Sequence, residues 1–261
     1  MTKLKVEIPK LYFEFEPAHN IKILQIGCGG TGSLLVPNLA RFIASNNFGE
    51  KDYNVDYVLV DGDKVEKKNV VRQNFLNSDV GQYKSEVLAK RYSSAFGISV
   101  TSVDCYIKSS NELNKLCSDG STIIISCVDN NKTRKIIHDW YCENCRGYHT
   151  LLWIDSGNEQ LGGQVFLTGE ISGKGIWTDI IKAHPEIALA EDKLPTELSC
   201  AERITNNEQS LAVNLTASTV IFNVVSALLR EEKIFYTEIS FTLGNGFKKK
   251  FLDDWKETVK R

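Results

Sequence analysis

The chain has 261 residues, a formal net charge of −2 and 42% hydrophobic residues. This length and composition are typical of a globular protein with one large α/β domain, or with one domain and a small lobe. A net charge near zero gives no support for binding to nucleic acid or to a membrane surface. We find no stretch that approaches the roughly 18 to 20 apolar residues of a membrane span. The charged N-terminal residues lack the apolar segment of a signal peptide.

The cysteines and the basic residues lead to two further expectations. Seven cysteines, an odd number in a long chain without a signal peptide, are expected to be reduced thiols and not a disulfide framework. We therefore expect a cytoplasmic location. The basic cluster Lys248, Lys249 and Lys250 is followed by acidic side chains, so it predicts a solvated C-terminal face.

The pattern of apolar residues predicts alternating strands and helices. Residues 4–15 alternate apolar and polar side chains, which predicts one or two edge strands broken at Pro9. Residues 21–26 form a short apolar run that predicts a buried strand, and a glycine-rich turn and an apolar helix follow it. Further elements are predicted, in chain order, as a strand over 55–61, a helix over 82–95, a strand over 98–107, a short helix over 109–118, a strand over 121–128, a helix over 131–145, and strands over 150–157 and 162–169.

The regular alternation stops after residue 170. Residues 171–205 contain glycine and proline but little periodicity, and irregular segments of that length are usually functional or mobile. A strongly apolar helix over 208–230, a strand over 234–243 and a charged tail complete the prediction. We therefore predict an α/β fold with a doubly wound, mostly parallel, Rossmann-like sheet, a C-terminal crossover segment, a buried helix and antiparallel strands.

We expect one domain over residues 1–261, with three parts. These are a nucleotide-binding core at 21–168, an irregular crossover segment at 169–207, and a C-terminal helix, strand and tail at 208–261.

The glycine-rich turn has the spacing of a nucleotide-binding loop. Gly27, Gly29 and Gly32 fit the pattern G-x-G-x-x-G between a predicted strand and a predicted helix, and Gly30 lies within it. Such glycines allow a tight turn, close approach of the backbone to phosphate and close helix packing, and the helix N-terminus favours an anion. Asp61 ends the next strand, where a carboxylate accepts hydrogen bonds from ribose hydroxyls. Alone, this pattern predicts a nucleotide without identifying it, and it leaves open NAD or a tight turn without a ligand.

Polar residues at the ends of several predicted strands extend this site. They are Asp63, Asn69, Arg72 and Gln73 after the second strand, Lys84 at the start of the next helix and Asp129 after the fourth strand. Open α/β sheets bind ligands at the carboxyl ends of their strands, so we expect these side chains to converge. Cations that stabilise phosphate charge, with a carboxylate that can hold Mg²⁺, favour nucleotidyl transfer over hydride transfer. The alternatives are that Arg72 and Lys84 form surface ion pairs and that Asp129 caps the following helix.

These segments together resemble a known family. The runs VLVDGDKVEKKNVVRQNF, DVGQYKSE, SCVDNNKTR and IDSGNEQLGGQV are similar to those of the ThiF/MoeB family and of the adenylation domains of ubiquitin-activating enzymes. The similarity extends over residues 21–168 and, more loosely, over 208–230. The plasmid-associated ThiF-like proteins of the PRTRC system look like the nearest subgroup, because of the short chain and the Ser199-Cys200 segment.

The resemblance implies a homodimer that binds ATP and Mg²⁺ and adenylates the C-terminal glycine carboxylate of a ubiquitin-like protein. It implies that Asp61 binds the ribose and that Asp129 coordinates Mg²⁺. It also implies that the phosphates are contacted by Asn69, Arg72, Gln73 and Lys84. The predicted nucleotide-binding residues are Gly27, Gly29, Gly30, Gly32, Asp61, Asp63, Asn69, Arg72, Gln73, Lys84 and Asp129. The predicted catalytic residues are Arg72, Lys84, Asp129 and Cys200.

The sequence departs from the family pattern in two places. Typical members carry an arginine in an N-terminal helix that reaches the partner subunit's ATP, whereas residues 1–20 contain no arginine. Typical bacterial members also bind zinc with two C-x-x-C pairs, whereas this chain has one, Cys142 and Cys145. With His138 and His149 the spacing is acceptable for a Cys₂His₂ zinc site. We favour the alternative that no zinc binds there, because the spacing fits no standard zinc module.

Cys200 lies in the irregular segment shortly before the apolar helix. Related enzymes pass the adenylated carboxylate to a cysteine in a comparable region, so the resemblance implies a thioester or acyl disulfide on Cys200. The alternative is a partly buried thiol near a helix start. Other functions remain open: adenylation of a small-molecule, peptide or tRNA-base carboxylate, or an inactive subunit that binds a nucleotide or a partner. The absence of a basic patch argues against tRNA.

Overall fold

The structure is a computed structural model that describes residues 10–46, 54–117, 120–171, 176–189, 210–254 and 259–260. The helices are α1 (Gly30–Ser45), α2 (Lys84–Phe96), α3 (Ser110–Leu116), α4 (Asn131–Asn144), α5 (Ile180–Ala183), α6 (Glu186–Leu189) and α7 (Leu211–Leu228). The strands are β1 (Asn20–Ile26), β2 (Asn54–Val60), β3 (Val100–Val103), β4 (Ser121–Ser126), β5 (Thr150–Asn158), β6 (Gly162–Thr168), β7 (Glu170–Ile171), β8 (Ile176–Trp177), β9 (Tyr236–Thr242), β10 (Gly246–Phe251) and β11 (Val259–Lys260).

The main sheet has eight strands in the order β10-β9-β6-β5-β4-β1-β2-β3. Strands β3, β2, β1, β4 and β5 are mutually parallel, and β6, β9 and β10 extend the sheet antiparallel. This confirms the predicted α/β class and the mostly parallel, doubly wound arrangement. The chain moves outwards from β1 to β3 and then returns to β4 on the other side of β1. The strand order therefore reverses between β1 and β4, and such a point opens a ligand crevice at the carboxyl ends of the strands.

The central strands are buried on both faces. In β1, Ile21 and Ile23 belong to one hydrophobic cluster, whereas Leu24 and Ile26 belong to the other, as the two-residue period of a strand requires. Helices α1, α2 and α7 cover the first face, and α3 to α6 cover the second. Burial on both faces explains why these strands have nearly continuous apolar sequences.

The two ends of the chain differ from the prediction. Residues 10–15 form no strand, because only Phe13 pairs, through an isolated bridge to Ile234, and residues 1–9 lie outside the described residues. The segment predicted as a charged tail instead begins with a strand, β10, which pairs with β9. Two glycines with positive φ allow the tight reversal between β9 and β10: Gly244 in the turn and Gly246 at the start of β10. Lysines on an edge strand disfavour pairing with other chains, which accounts for its charged sequence.

The segment predicted as irregular is partly regular. Its described portion contains the helices α5 and α6 and the strand β8. This strand pairs with β7 and with β11, near the end of the chain, in a small antiparallel sheet. Residues 190–209 lie outside the described residues. The short elements escaped prediction because two-residue strands and single helical turns have no periodicity to detect.

Helix α7 is the predicted buried helix. By length and composition it is apolar enough to cross a membrane, and among the described residues it is the only helix that passes this test. This corrects our statement that no stretch approaches that length. Half of its residues are buried, and Val220, Val224 and Leu228 lie in the same core cluster as α1. These features are typical of the core helix of a globular protein.

Candidate nucleotide-binding site

The loop between β1 and α1 is shaped by its glycines. Gly27 has a φ of +97°, and a Cβ atom there would lie 2.6 Å from the Cys127 carbonyl oxygen. A Cβ atom on Gly32 would lie 2.0 Å from the Gly27 carbonyl oxygen. By contrast, a Cβ atom on Gly29 would have, among the described residues, only Gln73 Nε2 within 4 Å, at 3.9 Å. The loop conformation therefore requires glycine at positions 27 and 32. At position 29 the described residues leave space beside the Cα atom, which a ligand can occupy.

Helix α1 begins directly after this loop. Its N-cap is Gly29, and no side chain caps it. The first turn of a helix has backbone N–H groups without intrahelical partners, and the helix dipole adds partial positive charge there. The start of α1, including Gly30, can therefore accept an anion such as a phosphate.

Asp61 follows β2 and holds the glycine loop. Its Oδ2 accepts a 2.6 Å hydrogen bond from the Cys28 backbone N–H, and its Oδ1 accepts a 2.8 Å bond from the Asp63 N–H. Burial raises the pKa of the Asp61 carboxyl, although Lys84 and the two backbone donors oppose the shift. The structure thus brings Asp61 to the loop, as the sequence predicted.

Lys84 lies at the start of α2 and is paired with Asp63. Its Nζ lies 2.9 Å from Asp63 Oδ2, while the Tyr106 hydroxyl donates a 2.5 Å hydrogen bond to Asp63 Oδ1. The Lys84 side chain is buried. The surface-ion-pair alternative is therefore wrong for Lys84, because its ion pair is buried next to Asp61.

The segment after β2 folds back over the loop. Asn74 anchors it to α1, since its N–H donates to Ser33 Oγ at 3.1 Å and its Nδ2 donates to the Ser33 carbonyl at 3.2 Å. This anchoring brings the preceding residue, Gln73, next to Gly29. Gln73 Oε1 is buried and has no hydrogen-bond partner in the described residues. Such an acceptor is available to a ligand donor or to water.

Asn69 and Arg72 belong to the same segment but differ in their contacts. Asn69 is buried, and its Oδ1 accepts a 2.8 Å hydrogen bond from the Glu66 N–H, so it closes a local turn. The Arg72 N–H donates to the Asn69 carbonyl at 3.1 Å. Within the ranges that the structure describes, the Arg72 guanidinium makes no hydrogen bond or ion pair, which is contrary to the surface-ion-pair alternative.

Asp129 lies just beyond β4, on the other side of the loop. The Cys127 N–H donates to the Ile26 carbonyl at 2.8 Å, which keeps the two strand ends together. Asp129 is exposed. The cap of α4 is Asn130, whose Oδ1 accepts a 2.8 Å hydrogen bond from the Thr133 N–H. The capping alternative for Asp129 is therefore wrong.

A buried ion pair near Asp129 was missed by the sequence analysis. Arg134 Nε lies 3.0 Å from Asp155 Oδ2, and the guanidinium also donates to the carbonyls of Val128 at 2.6 Å and Ser156 at 2.9 Å. Arg134 thereby joins the ends of β4 and β5 immediately before Asp129. The available signal was an aspartate within the apolar run of β5, because a buried carboxylate requires a partner.

A second missed feature is a polar network at the start of α1. Asn158 Nδ2 donates to Thr31 Oγ1 at 2.5 Å and to Asn214 Oδ1 at 3.0 Å, and Thr31 Oγ1 donates to Asn214 Oδ1 at 3.3 Å. These residues come from α1, the end of β5 and the first turn of α7. The network therefore connects three elements that are distant in sequence.

The residues considered for zinc do not converge. His138 Nε2 lies 3.1 Å from Asp179 Oδ1 and 3.5 Å from Cys142 Sγ, whereas His149 Nε2 lies 3.8 Å from Glu16 Oε2. Within the described residues, neither cysteine of the C-x-x-C pair, Cys142 or Cys145, forms a disulfide bond. In the described part of the chain, no group of three or more ligating side chains is placed to hold a metal ion. Cys200 lies outside the described residues.

The fold and the loop define a Rossmann-like nucleotide-binding protein, and comparison with known proteins identifies the family. The ThiF family profile matches residues 14–186, which is more than half of the chain. The chain therefore belongs to the ThiF family. A search of curated proteins found no match.

Several solved structures share the fold. The crystal structure of PaaA has 18% sequence identity and a TM-score of 0.60, with 88% of this chain and 64% of that chain covered. The structure of E. coli MccB with ATP has 20% identity and a TM-score of 0.60, with 88% and 63% covered. The structure of the microcin C7 biosynthetic enzyme MccB with N-formylated MccA has 18% identity and a TM-score of 0.59, with 88% and 64% covered. The chain thus spans less than two thirds of the length of these proteins.

Proposed function

We propose that this chain is an ATP-dependent adenylyltransferase that activates a carboxylate of a peptide or protein. The observation that carries the proposal is the face of Gly29, which the described residues leave open at the start of α1, beside the buried amide of Gln73, whose Oε1 has no hydrogen-bond partner among those residues. The Gln73 Nε2 and the first backbone N–H groups of α1 can donate to phosphate oxygens, while Gln73 Oε1 can accept from a ribose hydroxyl or from water. Membership of the ThiF family and a fold similar to that of MccB, which has been crystallised with ATP, support the choice of ATP.

In the proposed reaction, a carboxylate oxygen of the substrate attacks the α-phosphorus of ATP. A bond forms between that oxygen and the α-phosphorus, the bond from the α-phosphorus to the bridging oxygen breaks, and pyrophosphate leaves with the electron pair. Negative charge grows on the leaving group in the transition state. The Arg72 guanidinium, which has no partner among the described residues, stabilises this charge.

The other predicted residues take binding roles in this proposal. The N–H groups at Gly29, Gly30 and the following residues receive the phosphates, and Asp61 lies at the ribose. Gln73 lies beside the phosphates, and Asn69 supports it by accepting a 2.8 Å hydrogen bond from the Gln73 N–H. Lys84 contributes its positive charge from within its ion pair with Asp63, 2.9 Å away.

Asp129 is the residue that we propose to hold Mg²⁺. Its carboxylate is exposed and lies beyond the strand that flanks the glycine loop. Mg²⁺ is commonly held by one or two carboxylates together with substrate phosphates and waters, so a single protein carboxylate is sufficient. When bound, Mg²⁺ neutralises phosphate charge during the transfer.

Two substrate classes fit this chemistry. The resemblance to ubiquitin-activating enzymes favours the C-terminal glycine of a ubiquitin-like protein. The similarity to the microcin C7 biosynthetic enzyme MccB, solved in complex with N-formylated MccA, supports a peptide carboxylate. Both substrates present a carboxylate on a polypeptide, and this shared feature is what we propose.

The proposal is tested by ATP–pyrophosphate exchange with three heptapeptide pools. One pool has random sequences with a free C-terminal carboxylate, the second ends in Gly-Gly, and the third is the random pool with a C-terminal amide. We expect exchange with a carboxylate pool and none with the amide pool. Exchange confined to the Gly-Gly pool supports a ubiquitin-like substrate. ATP binding without exchange in any pool supports an inactive nucleotide-binding subunit and contradicts the proposal.

Two further parts of the proposal rest on the sequence alone. We propose that Cys200 accepts the acyl group as a thioester, releasing AMP, and that the protein is a homodimer. Replacing Cys200 with alanine should abolish a thiol-sensitive adduct and leave ATP–pyrophosphate exchange intact. Loss of exchange in that variant would contradict the acceptor role, and light scattering tests the dimer.

A further inference from the structure

The start of α1 is fixed by a buried polar network that reaches α7. Thr31, the second residue of α1, and Asn214, in the first turn of α7, are 5% and 2% exposed. Asn158 Nδ2 donates to both, at 2.5 Å to Thr31 Oγ1 and 3.0 Å to Asn214 Oδ1. Thr31 Oγ1 in turn donates a hydrogen bond to Asn214 Oδ1, at 3.3 Å. The three side chains thus form a closed triangle of hydrogen bonds.

The position of this network gives it consequences for the glycine loop. Helix α1 has no capping side chain at Gly29, so its first turn is not fixed by the local hydrogen bond that most helices use. Thr31 lies within that turn, and its hydroxyl is directed to Asn158 and Asn214. The residues of α7 that share a core cluster with α1, such as Val220, Val224 and Leu228, are apolar and give little directional restraint. The network therefore supplies the directional contacts from β5 and α7 to the first turn of α1, on the opposite side from those that Gln25 and Asn74 make with Gly32 and Ser33.

An asparagine in an apolar helix is also unfavourable unless its amide is hydrogen-bonded. Asn214 accepts hydrogen bonds from two different elements, which offsets that penalty and restricts the three groups to one arrangement. An apolar residue would bury equally well but would leave Thr31 without this acceptor.

We propose that Asn214 is a positioning residue that acts through Thr31 to hold the first turn of α1 in the conformation that binds the phosphates of ATP. This inference rests on the proposed function. Asn214 touches neither the reacting atoms nor, in this account, the nucleotide. Asn214 orders the phosphate-binding turn in the free protein. Less ordering then remains to occur when ATP binds, so the affinity for ATP increases through preorganisation.

A matched control lies one turn further along the same helix. Ser218 is 1% exposed, and its hydroxyl donates to the Leu215 carbonyl of its own helix at 2.8 Å. Ser218→Ala therefore removes a buried polar group from α7 whose hydrogen bond stays within that helix. A purely structural role for Asn214 predicts similar ATP affinities for Asn214→Ala and Ser218→Ala.

The test is isothermal titration calorimetry, in which ATP is titrated into the full chain in the presence of Mg²⁺. We expect Asn214→Ala to raise the Kd about tenfold and Ser218→Ala to change it less than twofold. Thr31→Val, which keeps the shape of the side chain, should match Asn214→Ala, whereas Thr31→Ser keeps the hydroxyl and should restore nearly normal binding. The double variant Thr31→Val/Asn214→Ala should be no weaker than either single variant, because both remove the same contact.

Three results would overturn the inference: wild-type affinity in Asn214→Ala, wild-type affinity in Thr31→Val, or losses that multiply in the double variant. If Asn214→Ala fails to fold, the comparison of Thr31→Val with Thr31→Ser decides alone. A wild-type protein that does not bind ATP overturns the proposed function, and this inference with it. Because the wild type is titrated in the same series, that outcome is distinct from a failure of Asn214 alone.

Discussion

The ammonium nitrogen of Lys84 lies 2.9 Å from Asp63 Oδ2, and the lysine side chain is only 8% exposed. Burial works to lower the pKa of Lys84, but the carboxylates of Asp61 and Asp63 outweigh it, so the pKa is raised. Lys84 therefore stays charged at neutral pH beside Asp61, whose Oδ2 binds the glycine loop through the Cys28 N–H. The ion pair places positive charge close to the proposed phosphate site without exposing it to solvent.

Lys84→Met is expected to reduce ATP–pyrophosphate exchange by a factor of about 10² or more. Without the cation, the Asp61 and Asp63 carboxylates repel each other, and they also repel the phosphates. The control is Lys90→Met, which removes an exposed lysine from the same helix. Equal exchange rates in the two variants would contradict a role for the Lys84 charge.

Arg72→Ala is expected to separate function from stability. Because the guanidinium forms no hydrogen bond or ion pair with another described residue, its removal should leave the melting temperature nearly unchanged, while exchange falls by a factor of about 10². Arg72→Lys keeps the charge but loses the planar donor fork, so it should restore only part of the activity. Lys68→Ala, in an exposed ion pair with Glu66 on the same segment, serves as the control. A large drop in melting temperature for Arg72→Ala would indicate a structural role instead.

Asp129 and Arg134 are close in sequence but should behave in opposite ways. Asp129→Ala removes an exposed carboxylate, so stability should change by less than about 0.5 kcal/mol while Mg²⁺-dependent exchange is lost. Arg134→Met leaves the buried Asp155 carboxylate without its cation and should lower the free energy of unfolding by about 3 kcal/mol or more. Urea unfolding of both variants checks the contrast, which fails if Asp129→Ala is the less stable of the two.

His138 makes stability depend on pH. Burial works to lower its pKa, but Asp179 and Cys142 raise it from its ordinary value of 6.5 to about 10. A raised pKa in the folded state stabilises the protein fully below pH 6.5, and this contribution is lost as the pH rises towards 10. The free energy of unfolding should therefore fall between pH 7 and pH 9.5.

The pH profile of His138→Gln should be shallower than that of the wild type. A residual slope is expected from His184, because the Glu238 carboxylate, 3.7 Å from its Nε2, raises the pKa of that ring. His149→Gln, which removes a half-exposed ring, is the control. Identical slopes for the wild type and His138→Gln would show that the His138–Asp179 pair does not contribute.

The glycine loop could be predicted from sequence because its determinants are local: a buried strand, spaced glycines and a helix follow one another directly. The positions of Asp61 and Asp129 followed from the rule that strand ends meet at one edge of a sheet. By contrast, Thr31 and Asn214 are 183 residues apart in the chain, and no sequence pattern around either residue predicts their contact. The β10 strand was missed because an exposed edge strand has the composition of a solvated tail.

Arg134 was missed for a different reason. An arginine in an amphipathic helix usually faces solvent, and only the packing of α4 against the ends of β4 and β5 directs this one inward. Its partner, Asp155, lies in a strand that is otherwise apolar. The pairing therefore depends on tertiary structure that the sequence pattern does not encode locally.

The central claim is that the open face of Gly29 is an ATP site, and binding of the non-hydrolysable analogue α,β-methylene ATP to Gly29→Ala tests it most directly. Among the described residues, a methyl group there has only Gln73 Nε2 within 4 Å, at 3.9 Å, so the variant should fold, with a small drop in melting temperature because the Gly29 ψ of −139° lies outside the region that alanine favours. The methyl group would occupy the space through which the phosphates approach the backbone. We predict that calorimetry detects binding to the wild type and at least tenfold weaker binding to Gly29→Ala. Equal binding to both proteins, or no binding to the wild type, would contradict the account.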